Sequence, residues 1–340
     1  MRKNTTFLVV AALFAAFASH NLRAQSLVNI ETTAVGDPNN AADTRTGLGS
    51  VAYEFSVSKF EVTNDQYAAF LNAVDPDGLN PQAVYVSNMG TEARGGINFS
   101  SLAAQGAKYG VKQDMGNKPV NMVGWFQAAR FANWVNNGAV SFGSTAASFS
   151  AIETGAYSLN GQSSGVFFRN INAVWWIPSS DEFYKAAFYK SGSLNAGYWS
   201  YPTQSDVAPG TVTADSTGTG SAGASGNFAN HLETAQWNSL VGNLTTVGSN
   251  GGPSAYGTHD MGGNVWEWLD TWSNSNVYYR GGATLNDASQ MLYSTAYTTY
   301  PDNTGGNNVG FRVATVPEPS TYALLIMGAA GVLWWSRRKR

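Results

Sequence analysis

The chain has 340 residues, of which 43% are apolar, 13% aromatic and only 12% charged, and its eleven Trp and seventeen Phe supply enough surface to bury that a disordered chain is excluded. Seven of the nineteen Lys and Arg sit at the two ends, so residues 25–316 carry 12 basic against 21 acidic side chains, a net charge of about −9 that repels phosphates and excludes a nucleic-acid partner. There is no cysteine, which removes thiol catalysis, thiolate metal sites and disulfides together.

In chain order, residues 1–24 read as a secretory signal peptide. Arg2 and Lys3 lead an apolar run from Phe7 to Ala18, and polar residues follow to a cleavage point at Ala24. A membrane anchor would need ~20 apolar residues, more than this run supplies. Residues 25–45 hold few large apolar groups and predict a leader or linker with one strand. Between Val51 and Val62, apolar residues at Val57, Phe60 and Val62 predict a further strand. Thr63 and Gln66 then have capping-box spacing, and Tyr67, Phe70, Leu71 and Val74 form one apolar helix face. A second helix is expected over Gly124–Asn136, burying Trp125, Ala128, Ala132 and Val135. A third opens at Pro178-Ser179, where Ser179 and Glu182 repeat the box and Phe183, Ala186 and Ala187 face inward. Ser191–Asn227 is rich in Gly, Ser, Thr and Ala and predicts a surface excursion, with "GTGSAGASG" near Gly218 as flexible loop. Three helices set in much irregular chain predict one α+β domain over residues 46–315.

The C-terminal 316–340 carry Pro317-Glu318-Pro319, an apolar stretch from Tyr322 to Trp335, and Arg337-Arg338-Lys339-Arg340. Physically this is a short membrane segment oriented by cytoplasmic positive charge, with Trp at the interface. The order also resembles the PEP-CTERM sorting signal of Gram-negative bacteria. That resemblance implies recognition by an exosortase-type transpeptidase and a transient membrane contact, followed by display at the surface or secretion, often alongside exopolysaccharide production.

Six segments carry a second resemblance: "YEFSVSKFEVTNDQYAAF" from Tyr53, "KPVNMVGWFQAARFANWV" from Lys118, "WWIPSSDEFYKAAF" from Trp175, "DMGGNVWEWLDTW" from Asp260, "YYRGGA" from Tyr278 and "NVGFRV" from Asn308. In this order over about 260 residues they resemble the formylglycine-generating enzyme, or sulfatase-modifying-factor, family. The resemblance implies that family's fold, a C-type-lectin-like variant with few regular elements. Most motif residues are structural on this reading: Trp266, Trp268 and Trp272 as core, Arg280 and Arg312 as buried partners of carboxylates or carbonyls.

The family's oxidative chemistry implies two cysteines that bind copper, and this chain has none to inherit the role, so no copper is expected. Related oxidases hold iron with three histidines, whereas only His231 and His259 lie beyond the signal segment, neither in a metal-ligand spacing. Both read as surface or loop histidines. No phosphate-cradling loop with its lysine is present, and a serine triad would have to recruit one of those two histidines, so no catalytic residue is assigned. The resemblance implies Ca²⁺ at the "DMGGNVWEW" segment, with carboxylates from Asp260 and Glu267 and carbonyls from Gly263 and Val265. These are hard oxygen donors suited to that ion; the competing reading is a salt-bridged acidic turn. A second implied calcium set is Asn230, the His231 carbonyl, Asn238 and Leu240. The expectation is an exported, non-catalytic, calcium-stabilised binding or structural module of the cell surface or matrix, with exopolysaccharide as a partner. The alternative is a metal-dependent oxidase or hydroxylase relative whose chemistry is not based on cysteine.

Overall fold

The computed structural model describes residues 27–141, 146–301 and 305–317. The signal segment and the apolar stretch Tyr322–Trp335 lie outside them. Among the described residues no helix is long and apolar enough to cross a membrane.

The fold is α+β and forms one domain around two four-stranded sheets. The first has the order β1 (Thr32–Val35), β2 (Phe55–Ser58), β14 (Ala314–Thr315) and β5 (Trp175–Trp176). It ties the two ends of the domain together, because β2 pairs with β1 on one side and with β14 on the other. The stretch read as leader thus contributes a strand to the sheet. The second sheet has the order β12 (Tyr297–Thr299), β11 (Asn276–Arg280), β10 (Trp266–Ser273) and β13 (Val309–Gly310), with a bulge in β10 between Trp268 and Trp272.

The three expected helices form. Helix α1 (Asn64–Val74) starts at Thr63, whose hydroxyl accepts the Gln66 N–H while the Gln66 side chain accepts the Thr63 N–H. Helix α2 (Trp125–Asn136) is buried along nearly its whole length, its polar residues Gln127, Arg130 and Asn133 included. Between it and the next expected helix lies one the sequence did not predict, α3 (Ala146–Glu153). Its composition, rich in Ala and Ser, carries no amphipathic stripe to read. Helix α4 (Ser180–Phe188) opens on the predicted Ser179–Glu182 box. Tyr67, Phe70, Phe131, Trp134 and Phe311 interlock in stacked, edge and tilted contacts at the centre of the core, joining α1, α2 and the C-terminal "NVGFRV" segment.

The 191–227 excursion is mostly exposed turn, as composition suggested, yet it is not loose throughout. Gly218 bonds back to Asp215 and takes the Thr246 N–H, and a Cβ there would meet the Trp237 ring at 2.4 Å.

Candidate functional site

The signature from Asp260 to Trp268 crosses the molecule from a tight loop into β10. Asp260, Gly263 and Asn264 all have positive φ, which curls the loop inward. Gly263 is required there twice over: its φ is +85°, and a Cβ would stand 2.6 Å from the Asn230 carbonyl oxygen.

At the end of the loop Glu267 is fully buried and gives both carboxylate oxygens to Arg312, also fully buried. Arg312 Nη2 donates to Oε1 at 2.7 Å and Nε donates to Oε2, and the guanidinium also reaches the carbonyls of Ser58 at 2.9 Å and His259 at 3.0 Å. Asp260 accepts the Gly248 N–H and the Asn250 amide, the latter at 2.9 Å. Glu61 lies in the same cluster, in the "KFEVTN" motif that leads into α1. One of its oxygens accepts from Asn264 at 3.2 Å and the other has no hydrogen-bond partner. Burial, reinforced by the nearby Asp260 charge and opposed by Arg312, holds the Glu61 carboxyl well above the usual carboxylate range. Two buried carboxyl groups, Glu61 and Glu267, and the half-buried Asp260 therefore face a single guanidinium.

A buried amide network joins this cluster to the second expected set. Asn264, fully buried, accepts on Oδ1 from the Thr245 N–H at 3.0 Å and from Asn230 Nδ2 at 3.2 Å. Thr245 donates its hydroxyl to Asn250 Oδ1 at 2.6 Å, and Asn250 passes on to Asp260. Asn230 Oδ1 accepts from Thr284 at 3.0 Å. Sequence reasoning missed Glu61, Thr245, Asn250 and Asn264 as members; only the presence of Glu61 and Asn264 inside motifs pointed at them.

The other members of the second set are placed differently. Asn238 is exposed at the tip of a hairpin between β8 (Gln236–Trp237) and β9 (Leu240–Val241), where Asn238 and Ser239 both take positive φ as a two-residue turn demands. Leu240 is half-buried on that hairpin, and the His231 carbonyl accepts from Thr234. Asn230 is fully buried, so the structure does not present these four as one accessible cage.

The two histidines are not surface groups. His231 is 2% and His259 6% exposed, and burial lowers the affinity of both rings for a proton, with Asp260 opposing at His259. His231 Nε2 lies 3.1 Å from the Pro209 carbonyl, His259 packs against Phe60, and Nδ1 of each ring has no partner. The loop part of the expectation holds and the surface part does not, because both stand in irregular chain whose packing comes from distant segments. Among the described residues no three His, Asp or Glu side chains converge as a metal site. Trp266 and Trp268 are core, as expected, and Arg280 donates to the Tyr293 and Thr295 carbonyls at 3.0 Å each.

The donors around Asp260 fit a hard cation in part. All are oxygen, carboxyl groups outnumber the guanidinium, and a space of about 10 Å³, the size of one water, borders Asp260, Asn250 and Thr258. Glu267 would reach such an ion only by sharing oxygens it already gives to Arg312.

The family model described as "Sulfatase-modifying factor enzyme 1-like domain" matches residues 21–316, and that of the PEP-CTERM protein-sorting motif matches residues 315–340. No curated protein matches the chain significantly. Among solved structures it is similar to CarF, with 18% identity over 85% of this chain and 99% of that one and a TM-score of 0.48. It is also similar to Treponema denticola variable protein 1, with 17% identity, 85% and 96% coverage and a TM-score of 0.47. PvdO from Pseudomonas aeruginosa gives 17% identity, 85% and 93% coverage and a TM-score of 0.41.

Proposed function

The chain belongs to the sulfatase-modifying factor enzyme 1-like family, and from that premise we propose that it is a non-catalytic member, a calcium-stabilised binding or structural module of the cell surface or extracellular matrix. The PEP-CTERM motif implies export, surface sorting and processing by an exosortase. The observation that carries the proposal is a scaffold kept together with its motifs in a chain that has no cysteine. Soft thiolate is what retains Cu(I), and the hard oxygen donors of the Asp260 cluster do not replace it.

Calcium would act on Asp260 and the Gly263 and Val265 carbonyls, with Glu267 sharing its oxygens between the ion and Arg312. Its work would be electrostatic: it would offset the carboxylate charge that one guanidinium leaves uncompensated, and would bind the folded state only. At 100-fold excess over its dissociation constant such an ion adds about 2.7 kcal/mol, which raises the melting temperature by roughly 5 °C or more in a domain of this size. Asp260→Ala is expected to remove that dependence. A chelator that leaves the wild-type melting curve unchanged excludes the calcium part.

The module's ligand on this reading is polysaccharide of the matrix. Pull-down with the organism's own exopolysaccharide tests it, and no retention above an unrelated acidic protein excludes that partner. A second reading, an oxidase or hydroxylase relative with a different metal, draws on the two buried histidines with unpartnered Nδ1 atoms. Metal analysis separates the two. Stoichiometric iron or copper in the purified protein would establish the second, and calcium alone the first.

A further inference from the structure

The segment that runs from Leu159 into β5 presents apolar side chains to water in a rigid frame. Phe168 is 73% and Ile171 98% exposed, with Val166 and Val174 each at 36%. Their neighbours are fastened inward. Phe167 meets Phe126 edge-on at 5.6 Å, and Asn170 donates to the Gly155 carbonyl at 2.9 Å while its N–H reaches Ala156. Arg169 bonds Glu182 at 2.9 Å and Tyr53 Oη at 3.0 Å and lies 4.5 Å over the Trp176 ring. Phe167, Arg169 and Asn170 are thus half-buried and pinned, while Phe168 and Ile171 beside them stay exposed. Exposed large apolar groups in a pinned loop carry the cost of hydration without any packing return in the isolated domain.

The place where the chain leaves the domain lies beside them. β14 pairs antiparallel with β5, and the ladder continues one step further, with the Val316 N–H donating to the Val174 carbonyl at 3.1 Å. Val316 is itself 43% exposed. The apolar stretch opens at Tyr322, five residues past Pro317, so an extended connection reaches at most about 17 Å. Residues 160–174 contain no Asp or Glu, in a domain whose net charge is strongly negative. Tyr53, 44% exposed, and Arg169 stand at the rim of the patch, the residue types that settle at a lipid headgroup layer. Fourteen residues from Tyr322 to Trp335 rise only about 21 Å as a helix, against a hydrocarbon core of about 30 Å. A segment that short draws its flanks toward the bilayer.

We propose that, while the C-terminal segment is still attached, the 166–174 loop docks on the bilayer surface, with Phe168 and Ile171 inserted among the lipid headgroups and acyl-chain ends. This rests on the reading of residues 316–340 as membrane-inserting. It gives the domain a fixed orientation at the membrane, with the β5 edge of the first sheet facing the lipid and the Pro317–Pro319 motif held close to the headgroup layer.

The natural absence of cysteine makes the test direct, because one introduced thiol is the only one to label. Full-length protein carrying Phe168→Cys or Ile171→Cys, labelled with an environment-sensitive fluorophore, is reconstituted into phosphatidylethanolamine–phosphatidylglycerol vesicles. Leu102→Cys and Val207→Cys, at positions 96% and 72% exposed elsewhere on the domain, serve as controls. The expected result is a blue shift and loss of emission on spin-labelled lipid at 168 and 171, with aqueous spectra at 102 and 207. Flotation with the vesicles reports the tail independently of the loop. Protein that floats while its 168 and 171 probes stay aqueous, or whose four probes respond alike, overturns the loop contact alone. Protein that does not float overturns both the loop contact and the insertion it rests on.

Discussion

Arg312 and Glu267 are the residue pair on which the centre of the molecule turns, because both are fully buried and each is the other's charge partner. Removing one member leaves an uncompensated buried charge, which typically costs 3–5 kcal/mol, whereas replacing both by apolar groups is often near neutral. Arg312→Met is therefore expected to lower unfolding free energy by about 3 kcal/mol or more, and the double variant Arg312→Met/Glu267→Leu to recover most of it. Urea denaturation of the four-member cycle measures this, and equal losses in the single and double variants would refute the pairing. Asp270 makes a second prediction. Burial pushes its carboxyl up to about 7, with Arg169 pulling it down and Glu182 adding to the rise, from an ordinary value of 3.8. A raised folded-state pKa means the folded protein holds this proton more tightly than the unfolded chain. Its contribution is complete below about pH 4 and is lost as pH rises to about 7. Asp270→Asn is expected to flatten part of the fall in urea midpoint over that window, with Glu61, also raised, keeping the remainder. An unchanged pH slope would count against it.

At the scale of elements, the helices are where local sequence and structure agree most closely. The Thr63–Gln66 and Ser179–Glu182 boxes start α1 and α4 where the spacing predicts, because a cap satisfies orphan N–H groups through residues three apart in the chain. Thr63→Ala is expected to cost about 1 kcal/mol, with Thr63→Ser restoring most of it; chemical denaturation with no loss in the alanine variant would show the cap to be idle. Ser179 is a less clean test, since Glu182 also accepts from Tyr53, Arg169 and Trp176 and would still hold the segment in place. The strands were harder to read. Among the described residues seven of them are only two residues long, too short to show an alternating pattern, and β5, β13 and β14 find their partners in remote parts of the chain.

For the whole molecule, the sequence was sufficient where its information is local or lies in motif order. The six ordered segments point to the family, the two capped helices follow from spacing alone, and the lack of cysteine removes thiol chemistry before any fold is drawn. Tertiary structure decided what depends on meeting across the chain. It joined the N-terminal β1 to the C-terminal β14 through β2, separated by about 280 positions in sequence. It took His231 and His259, read as surface or loop groups, into the interior, and it set Arg312 against Glu267 and brought Glu61 to Asp260. Burial and desolvation are sums over neighbours from every element, and a linear sequence specifies those neighbours only once the chain has closed on itself. The type of a side chain was legible, but its charge state and partner were settled by the packing around it.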